Sequence, residues 1–252
     1  MSDPDSDPDQ DSLSSNQNNS LSVFINSFEY EVIMQHTTPL VIATRNKGKT
    51  SEIRELLKDF PVEIRNLDDF GPIPEVEEDG ETFDENAYKK ASFTARILGY
   101  PALADDSGLL VEALDNAPGV YSARYAGEDA TDEQRYAKIL QEMEGKTERK
   151  AAFECVLSIA VPTGPALTYE GRCDGLIAQK PSGSNGFGYD PIFYYPPLEK
   201  TFAELSSEEK NRVSHRGKAF MELQGEFEKV LTWIRQNMPV QEKFTCADDS
   251  DD

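Results

Sequence analysis

The stretch "PLVIATRNKGKTSEIRELL" (residues 39–57) changes its periodicity half-way along. Its first part, "PLVIAT" (39–44), is a short apolar run, the pattern of a strand buried on both faces. Further on, Ile53, Leu56 and Leu57 fall at helical spacing and make one apolar stripe. A buried strand feeding an amphipathic helix opens an α/β unit. The turn between them, "ATRNKGKT" (43–50), nearly matches the phosphate-binding pattern G-x-x-x-x-G-K-[ST]. Gly48, Lys49 and Thr50 are in register, but Ala43 stands where the first glycine belongs, and its Cβ limits how closely a phosphate can approach. Lys47 and Lys49 are misplaced in an ordinary helix start, because the helix dipole prefers anions there. A bound phosphate would offset that cost; a plainly solvated helix N-terminus is the competing reading.

Outward from this unit, helices and strands alternate. "VEIRNL" (62–67) reads as a second strand. Thr82 with Glu85 forms a capping box, followed by Ala87, Ala91, Ala95 and Leu98 along one helix face. "PALADD" (101–106) is strand-like and ends on acids. Thr131 with Gln134 caps a helix carrying Tyr136, Ile139, Leu140 and Met143. "AAFECVLSIAV" (151–161) alternates as a strand, and Pro162-Thr163-Gly164-Pro165 turns it into a hairpin partner through "ALTYEGRCDGLI". Ser206 with Glu209 opens a last helical region ending near Trp233. The expected fold is α/β with a mixed sheet, spanning residues 39–238. The polar, acidic segments 1–38 and 239–252 read as tails too hydrophilic to fold by burial. Val23-Phe24-Ile25 is a short apolar patch in the first tail, and Met34 is a candidate internal start.

Composition narrows the function. The net charge of the 252 residues is −22, and nine terminal aspartates leave −13 for the body. So acidic a body lacks the cationic footprint that nucleic acid requires. Three cysteines (Cys155, Cys173, Cys246) and two histidines (His36, His215) support neither a disulfide framework nor a Cys/His zinc site, and fit a reducing, cytosolic compartment. No apolar run is long enough to span a membrane, and the acidic N-terminus is not a secretory signal.

Four stretches hold polar residues that a plain core does not need. The first is the cradle Thr44-Arg45-Asn46-Lys47-Gly48-Lys49. The second is "ADDSG", where Asp105 and Asp106 precede Ser107 and Gly108. It reads either as an Asx-type turn or as two adjacent carboxylates at a sheet edge, whose repulsion a divalent cation would relieve. Upstream, "EVEEDGETF" adds Glu75, Glu77, Glu78, Asp79 and Glu81, just before a helix bearing Lys89 and Lys90. The third is "SGSNGFGYDP" (182–191), either a connector or an aromatic platform for a planar base. The fourth, "EEKNRVSHRGKA" (208–219), gathers Lys210, Arg212, His215, Arg216 and Lys218; a lone histidine is usually structural, but this one adjoins an arginine whose fork suits a purine O6/N7 edge.

In order, "TRNKGK", "ETFDENAYKKA", "ADDSGL", "APGVYSARYAGEDATD", "GFGYDPIF" and "AELSSEEKNRVSHRGKA" closely resemble the inosine triphosphate pyrophosphatase family over about residues 40–223. The resemblance implies an elongated, twisted mixed sheet with two lobes around a central cleft, usually in a homodimer. It implies hydrolysis of deaminated purine nucleoside triphosphates (ITP, dITP, XTP) to the monophosphate and pyrophosphate. Thr44, Asn46 and Lys49, within the cradle that also holds Arg45, Lys47 and Gly48, then take triphosphate-binding positions, with Lys90 reaching in. Glu77 and Asp106 become Mg2+ ligands, Asp106 also the general base, and Ser107 a substrate contact. Phe187, Gly188, Tyr189 and Asp190 become the base loop; Lys210, His215 and Arg216 complete the substrate set. Two other readings compete: a Maf-like pyrophosphatase of different specificity, and a nucleotide-binding regulator without turnover.

Overall fold

Strand β1 (Thr38–Ile42) and helix α1 (Lys47–Leu57) form as their periodicities predict. The computed structural model describes residues 37–164 and 166–239. The expected tails therefore lie almost wholly outside the described residues, as do Val23-Phe24-Ile25, Met34, His36 and Cys246. The chain continues through β2 (Val62–Asn66), α2 (Phe83–Leu98), β3 (Ala102–Val111), α3 (Asp132–Glu142), β4 (Lys150–Ala160) and β5 (Ala166–Ile177). Then come β6 (Phe193–Tyr195), β7 (Lys200–Thr201), α4 (Ser207–Val213), α5 (His215–Gly225) and α6 (Phe227–Asn237). One mixed sheet runs β2-β1-β3-β4-β5-β6-β7. β1 and β3 are parallel; every later neighbouring pair from β3 to β7 is antiparallel.

Local chemistry explains the helix starts. Thr131 and Gln134, like Ser206 and Glu209, complete reciprocal capping boxes. At α2 the expected box is only half made. Thr82 Oγ1 accepts from Glu85 N–H at 3.1 Å, but the Glu85 carboxylate accepts from Glu81 N–H at 2.7 Å. The last helical region is three helices, because the Ser214 side chain starts a new helix by accepting from Gly217 N–H and the chain breaks again at Glu226.

One expectation is overturned. "ADDSG" is not a turn: β3 passes straight through it and pairs residue by residue with β4, from Ala102↔Ala160 to Val111↔Ala151. Gly108 serves space here, since a Cβ would fall 2.4 Å from Gly119 O and 2.5 Å from Ser122 Oγ. Odd-numbered residues of β3 share one face. Leu103 joins a cluster with Ile42, Ile53, Leu157 and Phe220, while Leu109 and Val111 join another with Ile139, Phe153 and Phe202. Either cluster carries its end of the sheet; cutting the fully buried Phe220 or Phe202 back to alanine costs about 3–5 kcal/mol. Between the clusters lie Asp105 and Ser107. On the even face, Ala102 and Ala104 meet Ala91 and Ala95 of α2, so the helix packs close beside Asp106. The polar mid-section of β3 between two apolar ends places the cleft.

Candidate active site

β1 stops where Ile42 pairs with Leu103, and Ala43 N–H makes a last bond to Leu103 O at 2.8 Å. β3 runs on beyond that point, and a cleft of about 350 Å³ opens beside it. This is the carboxyl end of a parallel strand pair, where α/β sheets take ligands. Because neighbouring strand residues point to opposite faces, Asp105 and Asp106 do not confront each other. Asp105 faces α1 and α5. Its Oδ1 lies 3.1 Å from Lys49 Nζ, and its Oδ2 accepts from Arg216 Nη2 at 2.8 Å and from Ser107 Oγ at 3.1 Å. Burial alone would raise its pKa, but Lys49 and Arg216 hold it well below the usual carboxylate range. Asp106 faces α2 and accepts from Lys90 Nζ at 2.8 Å, with Glu78 Oε2 3.4 Å from the same ammonium. Burial raises the Asp106 pKa, opposed by Lys90. Burial also works against the charge on Lys90, yet Asp106, Glu78 and Asp105 around it raise its pKa.

The cradle is partly closed on itself. Asn46 N–H donates to Thr44 Oγ1 at 3.2 Å, and Asn46 Oδ1 caps α1 by accepting from Lys49 N–H at 3.1 Å. No acid occupies the first turn of α1. Arg45 turns away to Ile73 O at 2.7 Å, lies 3.8 Å from Glu75, and so ties the cradle to the acidic loop. Gly48 leaves room for a ring: a Cβ there would fall 2.6 Å from Phe187 Cδ1.

Across the cleft, Lys210 Nζ donates to Asp190 at 2.5 Å and to Glu52 at 2.7 Å. Arg216 donates to Asp105, Ser107 and Glu52. Phe187 lies beneath both cations, 4.8 Å from Lys210 Nζ and 5.7 Å from the Arg216 guanidinium carbon. Asp190 Oδ2 also accepts from Phe187 N–H at 3.0 Å, so the residue that binds Lys210 folds the aromatic loop. His215 stacks on Phe153 with centroids 4.6 Å apart, and its Nδ1 is buried without a partner.

Cradle, carboxylates, aromatic loop and cation cluster thus converge on one cleft, in the order the sequence carries them. Residues 40–226 match the Ham1 family. The chain belongs to the Ham1 family. It is 63% identical over 201 residues to a dITP/XTP pyrophosphatase of Syntrophobacter fumaroxidans, covering 80% of this chain and 86% of that one. It is 61% identical over 199 residues to a dITP/XTP pyrophosphatase of Desulfotalea psychrophila, covering 79% and 89%. The solved HAM1 protein of Coxiella burnetii superposes with a TM-score of 0.71 at 44% identity, covering 77% of this chain and all of that one.

Within this Ham1 chain, Thr44, Arg45, Asn46, Lys49, Lys90, Asp106, Ser107, Phe187, Gly188, Tyr189, Asp190, Lys210, His215 and Arg216 all line the cleft. Three expected residues stand differently. Lys47, the first residue of α1, is exposed and outside the lining. Gly48 does not line the cleft but seats Phe187. Glu77 is exposed, whereas its neighbour Glu78 lines the cleft, its main chain held by Arg124 Nη2 at 3.0 Å. The Arg216 fork is also less free than its sequence suggests, since four of its five N–H groups are committed to protein acceptors. Sequence reading missed Glu52, which bridges Lys210 and Arg216, because "SEIREL" looks like an ordinary solvated helix face. It also missed Asp132, Arg135 and Ser122, which line the same cleft. Their stretch, "SARYAGEDATD", is part of the resemblance, and that was the available pointer.

Glu78 and Asp106 share one ammonium, so two hard oxygen donors converge. Mg2+ takes one or two protein carboxylates and completes its shell with substrate phosphates and water. Among the described residues no group of three or more His, Cys, Asp or Glu converges into a metal cage. The residues fit a cation held jointly with phosphate oxygens.

Proposed function

We propose that this chain is a nucleoside triphosphate pyrophosphohydrolase that converts ITP, dITP and XTP to the monophosphate and pyrophosphate, clearing deaminated purines from the nucleotide pool. The observation that carries the reading is the pair Lys49–Asp105 and Lys90–Asp106: two lysines from different helices flank the strand edge where β1 ends. The Phe187 platform lies on the same cleft. Lys49 and Lys90 bind the triphosphate and stabilise charge on the departing pyrophosphate. Asp106, buried beside Lys90 on the cleft, accepts the proton of a water attacking the α-phosphorus. Mg2+, held by Glu78 and Asp106, supplies charge neutralisation at the phosphates.

The base stacks on Phe187. Arg216 keeps one N–H of five and Lys210 one of three, after their carboxylates and the Ser107 hydroxyl are counted. Both groups only donate, so they accept a 6-keto oxygen and meet adenine's amine donor to donor. Mismatch at such buried polar groups discriminates strongly. The enzyme is proposed as a cytoplasmic homodimer with a catalytic domain at 39–238 between acidic tails. The buried free thiols of Cys155 and Cys173 support a reducing compartment, and the homodimer rests on the family resemblance. Among the described residues no helix is long and apolar enough to cross a membrane.

Turnover of ITP with Mg2+ in ¹⁸O-labelled water tests the reading. Labelled IMP with unlabelled pyrophosphate is expected. IDP with orthophosphate would sink the assignment, and label in pyrophosphate would move the attack to the β-phosphorus.

A further inference from the structure

The segment between β3 and α3, together with the first turn of α3, holds no group assigned above to binding or chemistry, yet it touches both halves of the cleft. It is fastened to β3 first. Ser122 Oγ accepts from Leu109 N–H at 2.9 Å and donates to Gly119 O at 2.6 Å, over the space that Gly108 leaves. From there Arg124 Nη2 reaches 46 residues back in sequence to Glu78 O, at 3.0 Å. The Arg124 guanidinium lies over the Tyr121 ring, 5.0 Å from its centroid. At the other side, Tyr189 Oη donates to Ser122 O at 2.8 Å. Asp132 Oδ2 accepts from Gly188 N–H at 2.6 Å, in the middle of the aromatic loop. The second Asp132 oxygen pairs with Arg135, whose Nη1 donates to Ala123 O at 2.8 Å and to Ala130 O at 2.6 Å, closing the segment on itself. Gly188 has φ +63°, a conformation open to few other residues, so the loop depends on partners to hold it.

We propose that residues 119–135 form a positioning strap: Arg124 fixes the main chain at Glu78, and Asp132 fixes the base platform at Gly188. Neither side chain is a catalytic residue. Each holds a main-chain group that carries one, and the two ends act on different parts of the reaction. This inference rests on the proposed pyrophosphohydrolase activity.

The test uses full-length protein and two independent readouts. One is KM and kcat for ITP and ATP by pyrophosphate release. The other is Mn2+ affinity by electron paramagnetic resonance, with non-hydrolysable α,β-methylene-ITP at a concentration that saturates each variant, so that weaker nucleotide binding does not pass into the metal readout. Asp132→Ala is expected to raise KM for ITP about tenfold, the scale of one hydrogen bond to a charged group, and to narrow the ITP/ATP ratio of kcat/KM. Its Mn2+ affinity should stay within about twofold of wild type, well inside one such bond. Asp132→Asn should recover most of the loss, because an amide oxygen still accepts from Gly188 N–H. Arg124→Ala should do the reverse, weakening Mn2+ about tenfold with the ITP/ATP ratio unchanged. Should either alanine variant fail to fold, Asp132→Ser (a good helix-start residue too short for Gly188) and Arg124→Gln replace them with the same expectations. Both readouts moving together in either variant, or neither moving, overturns the strap. So does an Asp132→Asn enzyme as impaired as the alanine variant. A wild type that releases orthophosphate from ITP instead fails the functional reading, before any variant is made.

Discussion

The two ends of the cleft are both built from cations facing carboxylates, but they are finished differently. At the phosphate end the Lys49 and Lys90 side chains keep 14% and 11% of their surface exposed. At the base end Lys210 and Arg216 keep 6% and 2%, and Glu52 bridges the two cations, a link the lysines of the phosphate end are not given. Burying charges this deeply is tolerable only when they are paired and hydrogen-bonded. The difference teaches a division of labour. The phosphate end offers charge to a ligand, whereas the base end spends its charge on itself and offers a shape with a few leftover donors.

The sharpest way to break that comparison is to remove chemistry from one end alone. Asp106→Asn should lose about 10³-fold in kcat, since an amide neither takes a proton nor binds a cation as strongly. The ITP/ATP ratio of kcat/KM should be unchanged, because base selection belongs to the other end; a ratio that collapses would merge the two ends into one device. Next in size, Glu78→Gln should reduce kcat/KM about 100-fold and shift activation to higher Mg2+. Glu77→Gln should stay within about twofold, as surface substitutions do. Equal losses from the two neighbours, measured in one Mg2+ titration, would return the ligand to the exposed residue.

Gly48 sharpens the comparison from between the ends. In sequence it is a phosphate-loop glycine; in the structure its missing Cβ makes room for the Phe187 ring. Gly48→Ala should therefore push Phe187 aside and raise KM for ITP about tenfold, the worth of a base-stacking contact. Pyrophosphate inhibition, which reports the phosphate end, should hardly change. Weakened pyrophosphate binding with an intact KM would restore the glycine to the cradle.

These contrasts also mark what could be read from sequence. Long periodic segments were legible: α1, α2, α3 and the β4–β5 hairpin all lie where their apolar spacing puts them. Thr131 and Ser206 announced their helices because capping chemistry is local. "ADDSG" misled because Asp, Ser and Gly favour turns, and nothing local reveals that Lys49, Lys90, Arg216 and Ser122 compensate them inside a strand. The same limit hid Glu52, whose partners are 158 and 164 residues away. The choice between Glu77 and Glu78 was hidden too, since a loop has no period to say which carboxylate turns inward.

The smallest expected effect concerns His215 and tests whether the base end is as closed as claimed. Burial, helped by Arg216 and Lys210, holds its pKa well below the ordinary value; Lys49 adds to this, and Asp105 opposes it. The folded protein therefore keeps His215 neutral, while the unfolded chain protonates it below about pH 6.5. More protons bound to the unfolded state means that stability falls as pH drops through that value, by at most about 1.4 kcal/mol per unit. Above it, this group contributes no slope. Asp105, whose pKa is lowered, acts only as pH falls towards about 3.8, outside the window. Asp106 and Asp190, whose pKa values burial raises, push the opposite way in wild type and variant alike and cancel in the difference. Replacing His215 by Gln should thus flatten the stability curve between pH 6.5 and 5.5 by roughly 1 kcal/mol. Urea unfolding followed by the fluorescence of Trp233, the chain's one tryptophan, which packs against the core, reads this directly. Parallel curves would mean that His215 reaches a proton in the folded state, and hence that the base end is open to water rather than closed on its own charges.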